Sequence, residues 1–367
     1  MANRPYYREN FVDNKGRLGT AELVGAPDFP RPGDPYAGVN LAEKFAAEIA
    51  NYPNAQQWIK AREQAGNYTG IHVGDWLPLR ANNVDFHAQI MGIDTYTGYG
   101  DDGHVVGHHI DWILNYLWPT GVKMNLANYN NGLIPVETVS ADGTATTFVL
   151  TKEMDEVAKI ESGGTELSGW TYDADTFTIT FEEAPAAGTL TVTGTGTENP
   201  WLATNGYRFA NSLAGQVPNG AGLNPAVKRV DYTHDGIYYY LPQEWKDIII
   251  PKRFHAAMRY SSSGLLKEPN NYGYVDLGNI WTLNEVEFIG HGCWAANGYC
   301  TSGAAQYPLF VSKLSPMQTA DGDNRVAYLL DPVDGGQNVW SYIYTTGWIG
   351  KSYNASATNY MPVCFRT

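Results

Sequence analysis

The sequence has few cysteines, few basic residues and no long apolar run. Its three cysteines are an odd number, so a framework in which every cysteine forms a disulfide bond is excluded. Cys293 and Cys300 are near enough in sequence to pair across a loop, but free thiols are expected in a reducing compartment. No apolar run approaches the ~20 residues that a membrane-spanning helix needs, so membrane insertion is not expected.

Basic residues are outnumbered by acidic ones. The chain of 367 residues has 24 Lys and Arg against 38 Asp and Glu, which gives a formal net charge of −14. A chain of this charge repels polyanions, so nucleic acid is not expected as a partner. The first ten residues are polar and lack the apolar centre of a signal peptide. We therefore expect synthesis in a cytoplasm, followed by retention there or by assembly into a larger particle.

Motifs of covalent chemistry are also missing from the sequence. It contains no GxSxG, no CxxC and no phosphate-binding loop. Many Asp and Glu are present, but no spacing between them selects a catalytic pair of carboxylates. The sequence therefore predicts a protein that is not an enzyme and that has no cofactor.

Two short polar segments are the candidates for metal binding. His104, His108 and His109 lie with several Asp in 101–111, a grouping that can hold a divalent cation. Their spacing matches no helical metal motif, and a buried His bonded to the backbone is the commoner arrangement. Residues 268–270 form Glu-Pro-Asn, which supplies calcium and sugar ligands in calcium-dependent lectins. The acidic or Asn partner that such a site requires is missing, so no metal site is predicted.

Aromatic residues and turn formers are abundant. The chain has 25 Tyr, 11 Trp, 39 Gly and 20 Pro, a composition typical of many turns and much β structure. Tyr and Trp suit recognition surfaces because each has an apolar body and a polar tip. At roughly 150 residues per domain, the length predicts two or three domains.

The first 66 residues divide into an arm and a helical segment. Residues 1–38 are rich in Pro, Gly and Asp and predict an extended attachment arm, either a disordered tail or a segment that orders against a partner. Residues 39–66 are predicted to be helical. Asn40 suits the N-cap of a first helix, with Glu43 at capping-box spacing. Pro53 separates this helix from a second one.

A change of composition marks an insertion in the β-rich remainder of the chain. Residues 133–197 are rich in Thr, and apolar residues alternate with Thr in the manner of strands that are buried on one face. A Gly-Gly pair at 163–164 predicts a tight turn. We expect a small β-sandwich of about 65 residues, inserted at an exposed loop of a main domain that comprises 67–132 and 198–367.

The segment 338–359 is the strongest candidate for a binding surface. Val339, Ser341 and Ile343 alternate there with large aromatic residues. If the smaller face packs inward, the rings point outward; the alternative is that the rings fill the core. We expect them outward because the segment is hydrophilic between its rings, and Tyr, Trp, Asn and Ser typify adaptable binding surfaces. The predicted ligand-binding residues are Trp340, Tyr342, Tyr344, Trp348, Lys351, Tyr353, Asn354, Thr358 and Asn359.

Four groups of motifs have the order and spacing of a known family. They are VGDWLP (73–78) with IDTYTGYGD (93–101) and HID (109–111); WLATNGY (201–207); KRF (252–254) with YSSSGLL (260–266), LGNIWTLNEVE (277–287) and QYPLF (306–310); and MPVCFR (361–366). In these the main domain resembles phage and prophage proteins with a C-type-lectin-like domain. That family is related to the variable proteins of diversity-generating retroelements and to phage receptor-binding proteins. The insert resembles immunoglobulin-like or carbohydrate-module sandwiches of phage tail proteins.

The resemblance implies an α+β, C-type-lectin-like fold that is closed by its terminal strands. Trp281, Glu285 and Glu287 match its buried frame, and His109 and Asp111 become scaffold residues. Formylglycine-generating enzymes have a similar fold, but their chemistry needs a reactive cysteine pair near the C-terminus. Here a single cysteine stands in a scaffold-like Val-Cys-Phe, which argues against that activity.

The resemblance also implies a function. We expect a phage virion protein that binds a host-surface glycan or protein through 338–359. The arm would attach it to other virion proteins or form a homo-oligomer, with a trimer favoured. A capsid-decoration or tail-assembly protein is the alternative, and a lectin-fold enzyme is less favoured.

Overall fold

The structure is a computed structural model, in which most of the chain is described. The described residues are 8–12, 18–22, 38–101, 104–124, 136–151, 154, 156–195, 199–202, 204–214, 231–257, 272–294, 304–311, 317–332, 339–354 and 356–367. They form a strand-rich α+β structure of several small antiparallel sheets with short helices. None of the helices in these ranges is long and apolar enough to cross a membrane.

The described residues contain eight helices and twenty strands. The helices are α1 (Leu41–Lys44), α2 (Ala46–Ile49), α3 (Ala55–Gln64), α4 (Asn205–Ala210), α5 (Ile237–Tyr240), α6 (Gln243–Lys246), α7 (Glu285–Ile289) and α8 (Pro308–Val311). The strands are β1 (Arg8–Val12), β2 (Leu18–Glu22), β3 (Trp76–Ala81), β4 (Val84–Ile93), β5 (Ile110–Leu114), β6 (Val122–Lys123), β7 (Val136–Ala141), β8 (Thr147–Val149), β9 (Val157–Ser162), β10 (Thr165–Glu166), β11 (Trp170–Asp173), β12 (Thr178–Phe181), β13 (Gly188–Gly194), β14 (Arg253–Ala257), β15 (Tyr272–Asp276), β16 (Ala327–Pro332), β17 (Val339–Ile343), β18 (Ile349–Asn354), β19 (Thr358–Asn359) and β20 (Cys364–Arg366).

The N-terminal region, for which the sequence predicts an extended arm over 1–38, contains a β-hairpin. Strands β1 and β2 pair antiparallel, with Arg8 opposite Glu22 and Val12 opposite Leu18. This pairing joins the backbone polar groups of the two segments to each other. The other residues of 1–37 lie outside the described part of the chain.

The helical segment begins as the sequence predicts. The Asn40 side chain accepts a hydrogen bond from the backbone N–H of Ala42 and donates one to the Glu43 carboxylate. The pair therefore caps α1, although Glu43 bonds the Asn40 side chain rather than its backbone. After Pro53, the Asn54 side chain caps α3 by accepting from the N–H of Gln57 at 2.8 Å.

The core of the main domain is built around one four-stranded antiparallel sheet. Its strand order is β20-β5-β4-β3, so the C-terminal strand lies beside β5 from near the start of the domain. Isolated bridges join β20 to Trp281 and Ile250 on the side away from β5. The largest buried side chains in this core are Trp58, Trp112, Trp118, Trp201, Trp245, Trp281 and Trp340.

The insert has the alternation that the sequence predicts and a core of its own. One sheet has the order β10-β9-β13-β7 and the other β11-β12-β8. Between β9 and β10, Gly163 and Gly164 have φ of 58° and 84°, the left-handed pair that a two-residue hairpin loop requires. The apolar residues of the predicted alternation are all buried in a cluster separate from the main core: Phe177, Ile179, Phe181, Leu190 and Val192.

Candidate functional site

Strand β17 lies at the centre of the three-stranded sheet β16-β17-β18 and is buried on both faces. Trp340 is fully buried and Tyr342 is only 5% exposed, while Ser341 and Ile343 on the opposite face are fully buried as well. The expectation that Trp340 and Tyr342 point outward is therefore wrong. Alternation of residue types shows which side chains share a face of a strand. It shows which face contacts solvent only when one of the two faces is uncovered, and in β17 both are covered.

The exposed aromatic residues lie at the tip of the hairpin that joins β17 to β18. Trp348 is 76% exposed and Tyr344 is 42% exposed. The N–H of Tyr344 donates to the carbonyl of Trp348 at 2.7 Å, and the N–H of Gly347 donates to the carbonyl of Tyr344 at 2.8 Å. Gly347 has φ of 86°, the left-handed conformation at the end of a three-residue hairpin loop. This turn holds the backbones of the two exposed aromatic residues side by side.

Tyr342 supports the tip from the buried part of the hairpin. Its ring centroid lies 6.1 Å from that of Tyr344. Gly350, directly opposite in β18, leaves room for the ring, because a Cβ atom there would lie 2.4 Å from the Tyr342 hydroxyl oxygen. Tyr342 is therefore a packing residue beneath the exposed tip.

Lys351 lies beyond the turn, at a β-bulge in β18. Tyr342 pairs with Gly350 and Trp340 with Tyr353, so Lys351 and Ser352 together face Ser341. The Lys351 side chain is exposed, and its Nζ lies 4.3 Å from the centroid of the Trp294 ring. At this distance the ammonium group is attracted by the face of the indole.

Trp294 was not predicted from the sequence and belongs to the loop after α7. Its indole N–H donates to the carbonyl of Ile349 in β18 at 3.2 Å. The buried carboxylate of Glu285 accepts the backbone N–H groups of Cys293 and Trp294. Glu285 therefore fixes the loop, and Trp294 connects the loop to the hairpin. No sequence pattern indicates this contact, since Trp294 stands more than fifty residues before Ile349.

The remaining predicted residues are divided between surface and core. Asn354 and Thr358 are exposed, and Thr358 pairs with Lys123 of β6. Asn359 is only 6% exposed, so it does not belong to the outer surface. It pairs with Val122 in the two-stranded sheet β19-β6, which turns its side chain inward. Tyr353 lies opposite Trp340 in the β17–β18 ladder.

A second polar group lies inside the main domain and is closed to solvent. Arg366 donates from Nε and Nη2 to the Asp111 carboxylate at 2.7 Å and 2.9 Å, and Tyr307 donates its hydroxyl to it at 2.8 Å. Lys252 forms an ion pair with Glu287. All four charged side chains are at most 1% exposed. They balance two carboxylates with two cations, which makes this network scaffold rather than a surface site.

The electrostatics of this network follow from burial and pairing. Burial works to raise the pKa of Asp111, but the charge and hydrogen bonds of Arg366 outweigh it and hold the pKa at about 2. Burial lowers the pKa of Lys252, although Glu287 and Asp111 oppose this. Its ammonium group is surrounded by the rings of Tyr96, Phe254, Trp281 and Tyr307, at 4.6–5.4 Å from their centroids.

The histidine cluster of 101–111 does not come together at a common point. His109 is buried; its Nδ1 donates to the carbonyl of Gly107 and its Nε2 accepts the N–H of Tyr96, so the ring is neutral. Burial lowers its pKa, consistent with this state. His108 instead pairs with Asp94, at 2.8 Å. Within the described ranges no group of three or more His, Cys, Asp and Glu is arranged to hold a metal ion.

The cysteines and the Glu-Pro-Asn tripeptide add no further site. Cys293 and Cys364 are free thiols, and burial raises the pKa of Cys364 well above its ordinary value. Cys300, the tripeptide at 268–270 and the YSSSGLL motif at 260–266 lie outside the described residues.

Comparisons of the chain with protein-family models, with curated proteins and with solved structures find no match.

Proposed function

We propose that the protein is a non-enzymatic phage virion protein that binds a host-surface receptor, a glycan or a protein, through the tip of the β17–β18 hairpin. The observation that carries the proposal is the exposure of Trp348 and Tyr344 on a turn with defined hydrogen bonds. Because the indole of Trp348 is 76% exposed, a ligand that covers it removes apolar surface from water, which favours binding. Rigid aromatic anchors of this kind dominate the energetics of recognition surfaces.

The proposal includes a C-type-lectin-like fold for the main domain and an immunoglobulin-like fold for the insert. The position of β20 supports the first, because the C-terminal strand returns to the main sheet and closes the domain. Trp281, Glu285 and Glu287, the residues matched to the buried frame of the family, are fully buried. The second is supported by seven antiparallel strands in two sheets around one core.

Binding would combine stacking and hydrogen bonding. The C–H faces of a pyranose ring would stack on the faces of Trp348 and Tyr344. Asn354, at the opposite end of the hairpin, and Thr358 of β19 would offer hydrogen-bonding groups to hydroxyls of more distant rings of a long glycan. Such contacts are individually weak, so a homo-oligomer, with a trimer favoured, would multiply them by presenting several tips at once. The N-terminal arm would attach the protein to other virion proteins.

The experiment measures adsorption of the purified protein to intact candidate host cells. We expect Trp348→Ala combined with Tyr344→Ala to abolish adsorption while leaving the thermal unfolding midpoint unchanged. Tyr239→Ala is the matched control, since Tyr239 is 45% exposed but lies in α5. Full adsorption by the double variant would refute the proposal.

A capsid-decoration or tail-assembly protein is the alternative, because an exposed Trp348 also suits contact with a neighbouring subunit. The two roles differ in the assembled particle. A receptor-binding tip leaves Trp348 accessible to oxidative labelling in the virion, whereas an assembly contact protects it. A lectin-fold enzyme has less support, since the Asp111–Arg366 and Lys252–Glu287 pairs are buried and closed to solvent.

A further inference from the structure

Lys351 is an exposed cation on the strand that follows the hairpin tip. No carboxylate among the described residues lies within ion-pair distance of it, and its Nζ lies over the face of the Trp294 ring. The whole chain carries a net charge of −14, so an exposed cation three residues after Trp348 has the opposite sign to the charge of the molecule. This local charge favours an anionic group on the ligand.

The backbone also singles out Lys351. It occupies the β-bulge at which two residues of β18 face one residue of β17. Bulges occur preferentially beside functional sites, where the extra residue changes the direction of a side chain. Glu285 and Trp294 then hold that side chain in place, Glu285 through the loop backbone and Trp294 through its ring. The ammonium group is therefore positioned before a ligand arrives.

Trp348 and Lys351 are three residues apart on one extended segment. At the rise of a β-strand their Cα atoms are separated by roughly 10 Å. Because side chains three residues apart on a strand lie on opposite faces, a ligand that contacts both residues would pass over the edge of β18, with a ring at the Trp348 end and a charged substituent at the Lys351 end.

We propose that the hairpin tip recognises an anionic saccharide, whose carboxylate or phosphate pairs with Lys351 while a sugar ring stacks on Trp348. This inference rests on the proposed function and specifies the ligand class of the same surface. It makes Lys351 the residue that distinguishes charged from neutral glycans and makes Trp348 the residue that binds both.

The experiment compares three immobilised probes of matched chain length: a neutral dextran, an oligogalacturonate that bears carboxylates, and a dextran phosphate. We expect the full-length protein to bind at least one acidic probe more tightly than dextran. This preference should weaken between 50 mM and 500 mM NaCl, because the Debye length shortens about threefold over that range and ion pairs are screened. Lys351→Gln should reduce that preference about three- to tenfold, and Lys351→Arg should retain it. Lys159→Gln, which removes a charge from β9 of the insert, controls for net charge.

The outcomes separate this inference from the proposed function. Preference for either acidic probe that depends on Lys351 supports the inference, and the probe that binds identifies the anion. Equal binding to all three probes, or an unchanged preference in Lys351→Gln, overturns it even if cell adsorption depends on Trp348. Loss of cell adsorption in the Trp348 variant without binding to any acidic probe also overturns it, while the receptor-binding function stands.

Discussion

Burial divides the aromatic residues of the hairpin into two groups with different roles. Trp340 and Tyr342 fill the core, whereas Trp348 is 76% exposed and Tyr344, which contacts the Tyr342 ring, is 42% exposed. Removal of a buried ring leaves a cavity and loses contacts, and removal of an exposed ring does neither. Stability and binding should therefore respond to different members of the same short segment.

We expect Tyr342→Ala to lower the free energy of unfolding by about 3 kcal/mol, because it empties the space between Tyr344 and Gly350. Trp348→Ala should change it by less than about 0.5 kcal/mol. Urea denaturation followed by circular dichroism measures both. A Trp348 variant that is as unstable as the Tyr342 variant would show that the tip packs against the protein instead of facing a ligand.

Asp111 should make the stability of the protein dependent on acid pH. Its pKa of about 2 in the folded state lies below the ~3.9 of an unfolded Asp. A carboxylate whose pKa is lower in the folded state stabilises the fold at every pH above its pKa in the unfolded state. This contribution is lost as the pH falls from about 4 to about 2. Asp111→Asn should lower the free energy of unfolding at pH 7 by about 3 kcal/mol, since Arg366 stays buried without its partner charge.

The measurement is urea denaturation of wild type and Asp111→Asn between pH 7 and pH 2. The gap in stability between the two proteins should narrow below pH 4. Asp85→Asn is the control, because Asp85 pairs with Arg80 on the surface and its loss should change stability little. A gap that is constant over the whole pH range would mean that Asp111 is not the titrating group.

At the scale of elements, the sequence predicted structure best where one face of a strand contacts solvent. In the insert the alternation of Thr with Ile179 and Phe181 matches the buried face of β12. In β17 the same kind of alternation did not show that Trp340 and Tyr342 are buried, since both faces of the strand are covered. The contact of Trp294 with Ile349 depends on the tertiary fold and has no local signal. Tertiary packing thus decided which of the predicted site residues reached the surface.

The turn of the hairpin is the element on which the exposed surface depends. Gly347 has a left-handed backbone that costs other residues roughly 1–2 kcal/mol. We expect Gly347→Ala to lower the free energy of unfolding by about 1 kcal/mol and to weaken cell adsorption, because the backbone of Trp348 shifts. Thr346→Ala in the same turn is the control and should alter neither. Unchanged adsorption by Gly347→Ala would show that the conformation of the turn does not matter for binding.

At the scale of the whole molecule, the two ends of the insert lie side by side. Val136, at the start of β7, pairs directly with Thr193 near the end of β13. The insert also buries its own apolar cluster, separate from that of the main domain. Adjacent ends and a separate core are the properties of a module that can be removed without stretching the remaining chain.

We therefore expect a variant in which a short Gly-Ser linker replaces 136–195 to fold and to keep cell adsorption. The core around β20-β5-β4-β3 and the hairpin tip are left intact by this deletion. Thermal unfolding checks the fold, and the adsorption assay checks the surface. The isolated insert should unfold cooperatively but with low stability, as expected for a domain of about 60 residues. If the deletion variant folds but no longer adsorbs, the receptor-binding surface lies on the insert and the assignment of the tip is wrong.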